Sequence, residues 1–188
     1  HNPVDGGTKG ASEYRDVKAA GLWLNQQNNI DKDRIYVYGG SYGGYLTAMA
    51  LGRDSDLFSG GVDIHGVHDR TLYGYLNSIN YEKAPDYDLA RETAWKSSPI
   101  ADIDTWKSPV LIIHADDDRN VYFKQSTDLV QRLRKKKVYM ETMVIVDDTH
   151  HFMMFENQMK VNKGTADFLI RLAEGNITVS YTHLRAHE

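Results

Sequence analysis

Residues 35–45 read IYVYGGSYGGY: a short β-rich run, Ile35–Tyr38, followed by Gly39-Gly40-Ser41-Tyr42-Gly43-Gly44. From Gly43 to Leu51 the sequence is rich in small residues, which suits a helix packed closely on a sheet. Strand, sharp turn and helix in that order form the setting that a G-x-S-x-G nucleophile elbow requires. The serine sits on strained backbone so that its hydroxyl stands clear of the sheet edge. Gly39 and Gly43, two before and two after it, are then expected to lack side chains to avoid collision. The same turn aims the Tyr42 N–H and the helix N-terminus at a developing oxyanion. A glycine-rich turn with an incidental serine is the competing reading, and the two correct flanks weigh against it.

On either side of the elbow, helical and strand patterns alternate. Ser12 to about Gln27 carries Tyr14, Val17, Ala20 and Leu24 on one face of an amphipathic helix. Asn29–Arg34 is polar turn material, and Gly61–Ile64 is a second short strand. Thr71–Ala101 is rich in tyrosine and weakly periodic, consistent with an insertion of short helices. Val110–His114 (VLIIH) is fully apolar, as expected of a central parallel strand covered on both faces. Gln125–Lys136 is helical, Tyr139–Val146 a strand, and Thr165, Phe168, Leu169 and Leu172 mark a last helix closed by Gly175. Strands alternating with longer helices imply βαβ units and a mostly parallel sheet with helices on both faces. The fold class is α/β.

The chain has 188 residues, the size of one domain. With 22 basic and 26 acidic residues its net charge is −4, which argues against a nucleic-acid binder. No apolar run spans a membrane. The absence of cysteine excludes a disulfide scaffold, a thiol nucleophile and an iron–sulfur protein.

A serine hydroxyl becomes a good nucleophile when an imidazole takes its proton and a carboxylate orients that imidazole. In the α/β-hydrolase fold the chain order is serine, acid, histidine, with both later members in loops after strands. Asp116-Asp117-Asp118 follows the strand ending at His114, and His150-His151 follows the strand ending at Val146. Order and topology fit, although the residues alone rank neither the three aspartates nor the two histidines. A solvated acidic loop and a divalent-metal site are the other readings of the aspartates.

Gly39–Gly44 with Tyr45, the run from His114 to Val121, and Asp147–Phe152 together resemble the catalytic domain of the prolyl oligopeptidase family, in the style of its dipeptidyl- and acylaminoacyl-peptidases. Gly61–Asp69 (GVDIHGVHD) extends the resemblance, which runs from about Gly10 to Ala173. It implies Ser41 as nucleophile, Asp118 as acid and His150 as base. It also implies Tyr42 as one oxyanion donor, with a second, a tyrosine hydroxyl, upstream of His1. Asn120 matches a residue that hydrogen-bonds the substrate's backbone carbonyl, and Val67 and Tyr73, with Tyr42, match the primary specificity pocket. Thr149 and His151 replace the glycines usual beside the histidine, and Ala115 replaces another, so distortion of the histidine loop is expected. Arg70 stands where an aromatic is common.

The resemblance implies a serine peptidase acting on short peptides, with no cofactor. A missing N-terminal domain, a β-propeller in this family, would filter substrates. A carboxylesterase with the same triad and a non-catalytic or truncated domain are the alternatives. Residues 1–178 then form the C-terminal part of the catalytic domain, with the N-terminal strands missing, and the isolated chain is expected to be weakly active or inactive. Residues 179–188 (VSYTHLRAHE) resemble a translated sequencing adapter. His65-x-x-His68 with Asp69 could hold a metal but has no third ligand motif nearby. His114 reads as a satisfied buried histidine, Arg134–Lys137 as a solvated helix end, and Met153, Met154 and Met159 as packing residues.

Overall fold

The computed structural model describes residues 12–72 and 83–177. Strands β1 (Tyr36–Gly40), β2 (Gly60–Ile64), β3 (Val110–Ala115) and β4 (Met140–Ile145) form one parallel sheet in the order β1-β2-β3-β4. Helices α1 (Ser12–Asn25), α2 (Tyr42–Arg53), α3 (Tyr87–Lys96), α4 (Lys124–Lys135) and α5 (Phe155–Ala173) complete the chain order.

Side-chain alternation along β3 divides the interior into two cores. Val110 and Ile112 face one side, packing with Tyr14 of α1, Ala48, Met49 and Leu51 of α2, and Leu129 and Leu133 of α4. Leu111, Ile113 and Ala115 face the other, with Val62, Ile64, Ile145, and Val161 and Phe168 of α5. A strand covered on both faces has no polar face to alternate, which is why β3 reads as one apolar run. Among the described residues β1 pairs only with β2, and Tyr38 on it is 58% exposed.

One buried position and one boundary differ from the sequence expectation. In α1 the buried small residue is Gly21, while Ala20 is exposed. A Cβ on Gly21 would lie 2.7 Å from the Phe58 ring, so that face approaches the core too closely for alanine. Helix α5 begins at Phe155, ten residues before the periodic run that marks it in the sequence. Its first turns expose Phe155 and Met159, and Val161 is the only residue buried before Phe168, so no apolar stripe announces them. Within the insertion lie 3-10 turns at Arg70–Leu72 and Pro99–Asp102 and helix α3; residues 73–82 lie outside the described residues. Gly175 closes α5 with φ +69°.

Candidate active site

Ser41 sits between β1 and α2 with φ 57° and ψ −115°, backbone that a non-glycine residue rarely adopts. A Cβ on Gly39 would lie 2.6 Å from the Gly43 backbone, so that position requires glycine. Gly43 does not, because a Cβ there would meet nothing within 4 Å, and the expectation of a collision at both glycines is corrected on this point. The second tight position is Gly44, where a Cβ would lie 2.6 Å from Asp63 Oδ1 and 2.7 Å from the Ile64 carbonyl oxygen. The Tyr42 N–H lies in the first turn of α2, where backbone donors lack an intrahelical partner. Its side chain is only partly covered; the phenol donates to Glu13 at 3.3 Å and is pushed up to about 12 by that partial burial and by the Glu13 carboxylate.

Of the three aspartates after β3, only Asp118 is buried; Asp116 and Asp117 are exposed. Asp118 Oδ1 accepts the N–H groups of Asn120 (2.8 Å) and Val121 (2.9 Å), which fixes the carboxylate from within its own turn. Its Oδ2 lies 2.6 Å from His150 Nδ1. Burial works to raise the pKa of Asp118, but the hydrogen bonds from His150, Val121 and Asn120 outweigh it and hold the carboxyl below its ordinary value. An ionised Oδ2 only accepts, so His150 carries its proton on Nδ1. His150 Nε2 then faces the Ser41 Oγ at 2.9 Å as an acceptor. A hydroxyl, an imidazole and a buried carboxylate in this line can pass the serine proton to Nε2 as the oxygen becomes a nucleophile.

The loop bearing His150 is built around Asp148, a residue that the motif reading does not single out. Its buried carboxylate accepts from Thr149 N (2.7 Å), Met153 N (2.8 Å) and Asn157 Nδ2 (2.8 Å). The left-handed residues of this loop are Asp147 (φ 57°) and Phe152 (φ 47°). Thr149 and His151 avoid that region and are exposed, so neither position requires glycine. Ala115 is fully buried at the end of β3.

The remaining sequence candidates are dispersed. Asn120 is exposed two residues after Asp118, and Val67 is buried in the core cluster that includes Tyr45 and Val121. Tyr73 lies outside the described residues. Arg70 stacks over the Tyr45 ring, 5.3 Å from its centroid. His114 is buried, with Nδ1 2.7 Å from Ser126 Oγ and Nε2 2.9 Å from the Val121 carbonyl.

His65 and His68 point to different places. His68 places Nε2 2.5 Å from Asp63 Oδ2 and Nδ1 3.0 Å from the Gln125 carbonyl; burial disfavours its charged form, but the Asp63 carboxylate and these hydrogen bonds outweigh it and raise the His68 pKa above its ordinary value. Asp69 instead accepts from Thr71 N and Oγ1. Among the described residues the one group with metal-ligand spacing is His65, Asp118 and His150, whose ligand atoms lie within 4.8 Å of one another. Both nitrogens of His150 are engaged there by Ser41 and Asp118, and a cation would have to break that line.

Burial, with His150 and His114 as neighbouring imidazoles, pushes His65 down from 6.5 to about 4. The unfolded chain therefore binds this proton as pH falls through 6.5, while the folded chain resists until about pH 4. Stability from this group is intact above pH 6.5 and is lost towards pH 4, by about 3 kcal/mol. Asp118 and Asp148, both held below 3.8, lose their contributions only at lower pH. Urea midpoints at pH 7 and pH 4.5 should therefore fall less in His65→Asn than in the unsubstituted chain. Equal falls would contradict this assignment.

A four-stranded parallel sheet flanked by helices, with a serine on the tight turn after β1, defines an α/β-hydrolase fold. The chain belongs to the prolyl oligopeptidase family, whose profile matches residues 6–176. It is 32% identical over 143 residues to inactive dipeptidyl peptidase 10 of Mus musculus, covering 76% of this chain and 18% of that protein. It is 29% identical over 172 residues to dipeptidyl aminopeptidase BIII of Pseudoxanthomonas mexicana, covering 86% of this chain and 25% of the relative. The chain thus spans a quarter or less of the length of these relatives. Among solved structures, the acylaminoacyl peptidase of Pyrococcus horikoshii superposes with TM-score 0.72 at 25% identity, over 87% of this chain and 28% of that one. Dipeptidyl peptidase 4 of Porphyromonas gingivalis, at 24% identity and TM-score 0.76 over 87% of this chain and 23% of that one, shares the fold. Among the described residues no helix is long and apolar enough to cross a membrane.

Proposed function

We propose that residues 1–178 are the C-terminal part of the catalytic domain of a longer serine peptidase that hydrolyses peptide bonds in short peptides, and that residues 179–188 are a foreign tail. The observation that carries the catalytic reading is the simultaneous reach of His150, 2.9 Å to Ser41 Oγ and 2.6 Å to Asp118 Oδ2. Ser41 Oγ attacks the scissile carbonyl as its proton moves to His150 Nε2. Asp118 keeps the imidazole in the productive tautomer and stabilises its charged form. The Tyr42 N–H supplies one oxyanion donor. The C–N bond breaks as His150 returns the proton to the leaving amine, leaving an acyl ester on Ser41, and water activated by the same imidazole hydrolyses it. Asn120 would hold the substrate's backbone carbonyl, and Tyr42 and Val67 would line the primary pocket. Relatives named as a dipeptidyl aminopeptidase and an acylaminoacyl peptidase, each several times longer than this chain, support peptides as the substrate class.

The test is turnover by the full-length protein on dipeptidyl and acylaminoacyl anilides compared with simple alkyl esters. Steady turnover of the peptide anilides is expected. Turnover of esters alone would identify a carboxylesterase and contradict the proposal.

A further inference from the structure

The residue directly after β2, His65, carries a chemistry that the triad does not account for. Its backbone is left-handed, φ 42°, unusual for a bulky side chain, and its N–H is pinned to the Ile113 carbonyl of β3 at 2.7 Å. The parallel register, Gly40 opposite Ile64, brings the following residues, Ser41 and His65, side by side. His65 Nδ1 accepts the Ser41 backbone N–H at 3.0 Å, a donor that the Ile64 carbonyl shares at 2.9 Å. A backbone N–H only donates, so this Nδ1 is unprotonated and the neutral ring carries its proton on Nε2. The other side of the imidazole packs on His150, with ring centroids 4.1 Å apart and planes at 47°, and Phe152 packs at 5.4 Å. The groups facing His65 are His150, His114, Asp118 and Asp63, and burial keeps the ring uncharged at neutral pH.

We infer that His65 is a positioning residue for the reaction proposed above: it accepts the Ser41 N–H to hold the strained elbow and presents a neutral ring against which His150 is set. The inference rests on the serine-peptidase reading of Ser41, Asp118 and His150. His65 touches two members of that line, and a shift of either lengthens the Oγ-to-Nε2 path on which proton transfer depends. Its neutrality also matters when His150 becomes an imidazolium. An uncharged aromatic ring beside a cation is favourable, whereas a second cation would oppose the transfer.

Three substitutions separate these contributions. His65→Asn offers an amide oxygen close to the position of Nδ1, His65→Phe keeps a ring without an acceptor, and His65→Ala keeps neither. In the full-length protein, we expect His65→Phe and His65→Ala to slow phosphonylation of Ser41 by a fluorophosphonate, and kcat for peptide amides, on the order of 100-fold. KM is expected to change less than about 3-fold, and His65→Asn to recover most of the rate, because the acceptor returns. Should a variant fail to fold, the nitrogen NMR spectrum of the unsubstituted protein at pH 7 gives an independent reading, with His65 Nδ1 unprotonated and Nε2 protonated. A protonated Nδ1, a His65→Phe variant as fast as the unsubstituted protein, or a His65→Asn variant as slow as His65→Ala would overturn the inference. If the unsubstituted protein itself is not labelled at Ser41, the peptidase reading fails, and this inference with it.

Discussion

Asp118→Asn is expected to lower kcat about 10⁴-fold while leaving the fold and KM close to their original values. The size of the effect follows from which way the amide must point. Two backbone donors, Asn120 N–H and Val121 N–H, converge on Oδ1 of Asp118 and demand an oxygen there. The amide NH2 of the variant is therefore directed at His150 Nδ1, which now has to accept. The imidazole proton moves to Nε2, so the nitrogen facing Ser41 becomes a donor and has no lone pair for the serine proton. The variant also loses the negative charge that stabilises the imidazolium. Circular dichroism with peptide kinetics on the full-length protein checks the prediction, and a loss below about 10-fold in a folded variant would remove Asp118 from the role of acid.

Gly44→Val is expected to destabilise the domain by about 3 kcal/mol or more, the upper range for overpacking. The neighbours of a Cβ at this position are mostly backbone: the Ile64 carbonyl at 2.7 Å and Gly66 Cα at 2.8 Å. Neither can swing aside as a flexible side chain can. The third neighbour, Asp63 Oδ1 at 2.6 Å, belongs to a fully buried carboxylate that also receives the Gly66 N–H at 3.0 Å and pairs with His68. Helix α2 would have to lift from β2, taking Ser41 away from His150. Gly43→Ala, one residue earlier, is the control. With open space around its Cβ, it is expected to be neutral or to stabilise by about 0.5 kcal/mol through reduced backbone entropy. Urea midpoints of the two variants decide the matter; similar values would mean that the close approach of α2 to β2 does not limit stability.

Much of the fold was legible in the sequence because burial wrote it there. The β3 segment is covered on both faces and reads as VLIIH, and the elbow reads as a strand followed by small residues. The start of α5 was not legible, since the turns that contain Phe155 and Met159 are solvated and carry no stripe. At the candidate site, Ser41 could be picked out from the elbow itself, whereas position after a strand left three aspartates and two histidines open, and only the resemblance to the prolyl oligopeptidase family selects Asp118 and His150. His65 could not be placed that way. Its link to Ser41 depends on the register between β1 and β2, a tertiary property, and its spacing to His68 drew attention to a metal pattern that the backbone pulls apart. Asp148 escaped for a similar reason, since its partners include Asn157, nine residues later in α5. Gly43 belongs to the same motif pattern as Gly39, and only contacts in three dimensions separate the position that needs glycine from the one that tolerates a methyl group.

The most direct test of the account is to treat the full-length protein with a fluorophosphonate and map the adduct by peptide mass spectrometry, alongside Ser41→Ala and His150→Ala. A single adduct on Ser41, absent from Ser41→Ala and strongly reduced in His150→Ala, is the predicted result. Labelling that persists in Ser41→Ala, or an adduct on another residue, would contradict the assignment of Ser41 as the nucleophile.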